Sequence, residues 1–136
     1  MKKIVFLLLF LIGFFGVKAQ VMSAKLQTIV VKSANLRCWE CKERLDKYLT
    51  KENDASFEHA IIEMKFDLLK GELKIKFYPD RASIEDIKAA INNAGFDADA
   101  DKAEEEAYKK LPTACKRAED GGGPKKGAPC HMDPNR

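Results

Sequence analysis

The chain has 136 residues, and its 24 Lys and Arg against 21 Asp and Glu give a formal net charge of +3. That excess resides in Lys2, Lys3 and Lys18; without them 21 basic residues face 21 acidic ones, so the basic balance is no ground for a nucleic-acid partner, and no basic patch interleaved with aromatics is present. The 117 residues after position 19 suit one small domain with a modest core and a tail, and no internal repeat is visible.

Met1-Lys2-Lys3 is a short basic start, followed by an apolar run of 14 residues from Ile4 to Val17. That is short for a membrane-spanning helix. Val17 and Ala19 stand at the −3 and −1 positions of a cleavage site, so residues 1–19 read as a secretory signal peptide cut before Gln20. No cysteine follows the cut, which argues against a lipid anchor. The expected product has no stable membrane anchor and is periplasmic or secreted.

Leu26 to Val31 reads as a strand. Cys38-Trp39-Glu40-Cys41 follows, and then Cys41, Leu45, Tyr48 and Leu49 recur at the spacing of one helix face. Both cysteines thus fall at a strand-to-helix junction. Unpaired amide groups and the positive end of the dipole favour thiolate there. Cys38 is expected to be the more exposed and more acidic thiol. Asn53 to Ser56 breaks this helix.

Two alternating runs come next. Ile62, Met64, Phe66 and Leu68, then Leu73, Ile75 and Phe77, alternate with charged residues and are joined through Leu69-Lys70-Gly71. This is a hairpin with one buried face and one wet face. Ser83 is a good N-cap with Glu85 and Asp86 in the first turn, Ile84, Ile87, Ile91 and Ala94 form an apolar stripe, and Gly95 ends the helix. Phe96 to Asp99 is a candidate short last strand. The order is βαββαβ, an α+β, ferredoxin-like sandwich with two helices on one face of an antiparallel sheet. Lys102 to Leu111 is helix-prone and stopped by Pro112, and Ala118 to Arg136 reads as a flexible tail. A chain ending at Pro112 is therefore expected to keep its fold.

The βαββαβ order with Cys-x-x-Cys at the first junction resembles the heavy-metal-associated domain, a family of copper chaperones, mercuric-ion-binding proteins and ATPase modules. Asn35 and Leu36 stand where that family has Gly and Met, with Asn tolerating left-handed backbone and Leu filling a Met-sized slot. Ser83 to Ile87 and Ala90 to Ala98 resemble the family's second helix and its Gly-aromatic ending. The likeness covers residues 27–99, and the domain is set at 20–99, followed by a C-terminal helical extension and tail at 100–136. Ala107 to Lys116 resembles an extension of exported members that ends in a cysteine pair, with Ala114 in place of the first. Trp39 and Glu40 replace the small residues usual between the cysteines.

The resemblance implies that Cys38 and Cys41 ligate a soft metal. Thiolates select Cu(I), Hg(II), Cd(II) and Zn(II), with Cu(I) the first choice. Cys115 and the cluster Cys130-His131-Met132 are secondary candidate ligands. Phe96 is expected near the metal loop but packing in the core, and His59 on the surface. An even cysteine count in an exported chain also admits disulfides, with Cys38–Cys41 or Cys115–Cys130 bridges as the pairings weighed. No phosphate loop, catalytic triad or zinc-protease motif is present, so no enzyme is expected. The expectation is a monomeric carrier exchanging its ion with a metal-transporting ATPase or another donor or acceptor. A thiol–disulfide exchanger using the same pair and a non-catalytic interaction module are the alternatives.

Overall fold

The computed structural model describes residues 25–124. The signal peptide at 1–19 and the Cys130-His131-Met132 cluster lie outside the described residues.

Strand β1 (Gln27–Lys32) leads through the cysteine loop into helix α1 (Trp39–Ala55). Strands β2 (Ile61–Asp67) and β3 (Glu72–Phe77) form the hairpin, followed by helix α2 (Ile84–Asn93). β3 lies in the middle of an antiparallel sheet of order β1-β3-β2. In register, Ile29 faces Ile75, Val31 faces Leu73, and Met64 faces Ile75 from the other side.

One face of this sheet and both helices share a single core. Val31, Leu73, Ile75 and Phe77 pack with Cys41, Leu45 and Leu49 of α1 and with Ile87, Ala90 and Ile91 of α2. The alternate strand residues stay wet, as the pleat requires; Val30 remains half exposed. The architecture is α+β and ferredoxin-like, as expected.

Two details differ. The expected inward residue Ile62 is 52% exposed, whereas Ile61 is buried. The pairing shifts between Ile61 and Glu63, so one extra residue in β2 flips the side-chain alternation at its start. Asn53 holds this irregular start, accepting from the Ile61 amide at 2.8 Å and donating to the Ile61 carbonyl at 3.0 Å.

The last strand is reduced to a backbone contact. The Asp99 amide donates to the Lys32 carbonyl at 2.7 Å, and the Lys32 amide donates to the Asp99 carboxylate at 2.9 Å. Asp99 has φ of 56°, outside extended geometry, and Ala98 pairs instead with Asp101 in a tight turn.

α2 is bounded as its sequence suggests. The Ser83 hydroxyl accepts from the Asp86 amide at 3.1 Å, and the Asp86 carboxylate accepts from the Ser83 amide at 3.0 Å. Gly95 follows with φ of +92°. A Cβ there would lie 3.0 Å from the Ala107 backbone, so this glycine also lets the C-terminal extension approach.

That extension departs most from expectation. Helix α3 is shorter than the predicted Lys102–Leu111 run and spans Glu105–Lys109, because the Glu104 carboxylate caps it by accepting from the Glu106 and Ala107 amides. Single 3₁₀ turns follow at Thr113–Cys115 and Ala118–Asp120. Residues 118–124, expected to belong to a flexible tail, carry the second of these turns. The physical reason is polar. The Arg117 guanidinium makes two hydrogen bonds to the Asp97 carboxylate, a residue only 4% exposed. Arg117 also stacks 4.1 Å from the Tyr108 ring centroid, and the Tyr108 hydroxyl donates to Asp120. Burial opposes the charge on Asp97, but the Arg117 hydrogen bonds and the Ala103 amide outweigh it and hold its carboxyl below the ordinary aspartate value. The same pairing keeps Arg117 still more firmly protonated than a free guanidinium.

Candidate metal centre

The loop from Ser33 to Cys38 is short, buried and heavily bonded. The Ser33 amide donates to the Gly71 carbonyl at 2.8 Å, which brings the loop under the hairpin turn. Gly71 has φ of +66°, and a Cβ there would meet the Ser33 carbonyl at 2.7 Å, so only glycine fits. Arg37 reaches the same turn, donating to the Leu69 carbonyl at 2.9 Å. Leu36 is fully buried, filling the core slot expected for it.

Asn35 does something the sequence did not suggest. It is absent from the residues with positive φ, so the left-handed geometry expected of it is not what it provides. Its side chain is instead a buried junction. The amide nitrogen donates to the Gly95 and Cys115 carbonyls, each at 3.0 Å. The amide oxygen accepts from the Asp97 backbone at 3.0 Å and from the Ser33 hydroxyl at 3.1 Å. One side chain thus ties the cysteine loop to the end of α2 and to the C-terminal extension.

Cys38 is the N-cap of α1, with extended backbone, and its carbonyl accepts from the Lys42 amide at 3.0 Å. Cys41 lies in the first turn, facing the core. The two cysteines thus stand three residues apart across the start of the helix, one in extended backbone and one in the first turn. Around them, Lys42 lies 4.3 Å from the Trp39 ring centroid and pairs with Asp46, while Glu40 pairs with Arg44 at 3.2 Å. The carboxylate between the cysteines is therefore occupied along the helix rather than turned to the sulfurs.

The sulfurs themselves are oxidised. Cys41 is bonded to Cys115, 74 residues away, with Cα atoms 5.4 Å apart, and both residues are fully buried. Cys38 is likewise in a disulfide, and no described cysteine is a free thiol. Neither bridge weighed from the sequence describes Cys41, whose partner comes from the extension and not from its own motif. Nor is Cys38 exposed as expected, at 2%. In this redox state the donor set does not fit a two-thiolate ion site, because the Cys41 sulfur is committed to Cys115. Among the described residues no group of three or more His, Cys, Asp or Glu is arranged to hold a metal ion in this form.

Of the other candidates, Phe96 is fully buried and packs in the core. His59 is exposed in the loop before β2, 3.2 Å from Asp54, away from the cysteines in sequence and contacts. Cys130, His131 and Met132 lie outside the described residues. The even cysteine count was the one signal that hinted at Cys41–Cys115. Nothing in the local sequence marked Asp97 or Arg117, and Asn35 was marked only for its backbone, not for its side chain. No helix among the described residues is long and apolar enough to cross a membrane.

No protein-family model matches the chain, and no curated protein matches it. Among solved structures, it is similar to a Bacillus anthracis str. Ames protein described as copper-ion-binding, with 17% identity and a TM-score of 0.47 over 56% of this chain and 99% of that one. Oxidized MerP from Ralstonia metallidurans CH34 is similar over 54% and 94%, with 15% identity and a TM-score of 0.47. A copper binding domain from HMA7, a P-type ATPase, is similar over 53% and 89%, with 26% identity and a TM-score of 0.46.

Proposed function

We propose that this chain is an exported soft-metal-binding protein that captures or carries an ion through the Cys38 and Cys41 thiolates once its cysteines are reduced. The observation that carries this reading is the placement of both residues at the start of α1, one as N-cap and one in the first turn. Two thiolates so placed are soft donors at the positive end of a helix dipole. Cu(I) is the first choice, with Zn(II), Cd(II) and Hg(II) as alternatives. The ion would pass to or from a metal-transporting ATPase or another donor or acceptor by thiol ligand exchange. The chain would act as a monomer, not as an enzyme, and without nucleic acid or a stable membrane anchor. The basic, apolar N-terminal segment supports export, and a disulfide spanning the domain suits the oxidising compartment that export implies.

One observation favours a second reading. Cys41 and Cys115 are bonded and fully buried, which suits a permanent staple in an interaction module without metal chemistry. The same burial disfavours the thiol–disulfide exchanger, because exchange requires an attacking thiolate to reach a sulfur. The experiment is a chelator competition on reduced, anaerobic protein with Cu(I), Zn(II), Cd(II) and Hg(II), comparing wild type with the Cys38→Ser, Cys41→Ser double variant. The carrier reading expects one tightly held ion in wild type and loss of that site in the double variant. Equal binding by both proteins would contradict it.

A further inference from the structure

We propose that the reduced protein binds its soft cation with three sulfurs, Cys38, Cys41 and Cys115, the third delivered by the C-terminal extension. This rests on the metal-binding reading above and gives that site its coordination number.

The argument turns on what holds Cys115 in place. Reduction by a dithiol adds two electrons and two protons per bond, each reductant becoming a disulfide; one equivalent opens the Cys41–Cys115 bond and a second opens the disulfide that holds Cys38, so that all three sulfurs become thiols. If the Cys41–Cys115 bond alone held the extension, Cys115 would then leave. It does not hold it alone. The Cys115 carbonyl accepts from the Asn35 side chain, and the Cys115 amide donates to the Pro112 carbonyl at 2.8 Å. Two residues on, Arg117 is locked to buried Asp97. On the other side, Leu111 is buried, its Cγ within 3.1 Å of where a Gly95 Cβ would stand. These contacts flank Cys115 both in sequence and in space, and none involves sulfur.

The extension therefore stays docked after reduction, and the Cys115 thiol stays beside the Cys41 thiol. Cys38 completes the set from the N-cap of the same helix. The three residues are at most 2% exposed, so the cation would sit in a dry site where thiolates bind it without competition from water. Deprotonated sulfur is the required ligand form, and ion binding would release the thiol protons. The chemical class is a thiophilic cation such as Cu(I), Cd(II), Hg(II) or Zn(II).

The test uses reduced, anaerobic protein and Cd(II) or Cu(I) alone as probe. Sulfur coordination is read by X-ray absorption, and the thiolate-to-Cd(II) charge-transfer band is followed in parallel. Three sulfurs are expected in wild type, falling to two in Cys115→Ser, with at least a tenfold loss of affinity in chelator competition. Cys130→Ser, altered outside the described residues, should leave three. Arg117→Ala keeps every sulfur but loosens the extension, and should weaken binding without abolishing it. Thermal unfolding of each reduced variant, measured against reduced wild type, separates lost ligands from lost fold. A count of two in wild type that Cys115→Ser leaves unchanged overturns this inference and leaves the Cys38, Cys41 site standing. A third sulfur that vanishes in Cys130→Ser overturns it as well. No bound metal at all overturns both readings.

Discussion

The stretch from Ser83 to Gly95 and the stretch from Ser33 to Cys41 are held in opposite ways. The first is almost self-contained. Its capping box joins residues three apart, its apolar stripe follows the helical period, and its glycine ends it. The second has no cap of its own: the Cys38 side chain makes no capping hydrogen bond. Its shape comes from residues 38 to 80 positions away, through Gly71, Gly95 and Cys115. A segment held by its neighbours in sequence can be read from sequence and broken only locally. A segment held by remote partners can be broken from far away.

The largest effect that sharpens this contrast should come from ending the chain at Pro112. That removes the Cys41–Cys115 bond, whose loop of this length is worth about 4 kcal/mol in the chain-entropy view. It also leaves Asp97 buried without Arg117 and one Asn35 hydrogen bond unmade. We expect loss of cooperative thermal unfolding, or a large drop in Tm, and a disturbed cysteine loop. A truncated protein as stable as wild type would show that the extension is not part of the fold.

Next in size is Arg117→Ala. Removing one partner of a buried ion pair costs about 3 kcal/mol, read by urea unfolding at pH 7. The sign with pH follows from Asp97. Its carboxyl titrates lower in the folded chain than the unfolded value of about 3.9, so the pair's contribution is complete above that value. It is lost as pH falls through the folded pKa. Wild type should therefore lose stability in acid more steeply than Arg117→Ala, and the two curves should converge at low pH.

Asn35→Ala should cost about 2 kcal/mol, because it strands the Gly95 and Cys115 carbonyls and the Asp97 amide in a buried place. Amide exchange should rise at residues 33–38 and 113–117 together, although the two segments are remote in sequence. The smallest effect belongs to the self-contained region. Ser83→Ala should cost about 1 kcal/mol, the usual value for a lost N-cap, and should leave metal binding by the reduced protein unchanged.

Legibility followed the same division. Leu73, Ile75 and Phe77, the α1 stripe of Cys41, Leu45 and Leu49, and the Ser83 cap were readable because each depends on a period or a neighbour. The start of β2 was misread, since the extra residue between Ile61 and Glu63 leaves no mark in an alternating run. The extension was misread because composition reports apolar content, and this segment is anchored by one ion pair, one amide and one sulfur. Cys38 and Cys41 were identified as a pair from their spacing. That Cys41 is joined to Cys115 depends on the folded path between them, which spacing does not encode.

The central claim is that the cysteines at the start of α1 hold a soft metal ion when reduced and are closed to it when oxidised. The most direct measurement is Cu(I) binding by one preparation before and after anaerobic reduction, with a competing chelator and thiol counting on the same samples. The account predicts no tight Cu(I) in the oxidised protein and one tightly bound ion per chain after reduction. A reduced chain, with its thiols fully counted, that surrenders all Cu(I) to the chelator would contradict it.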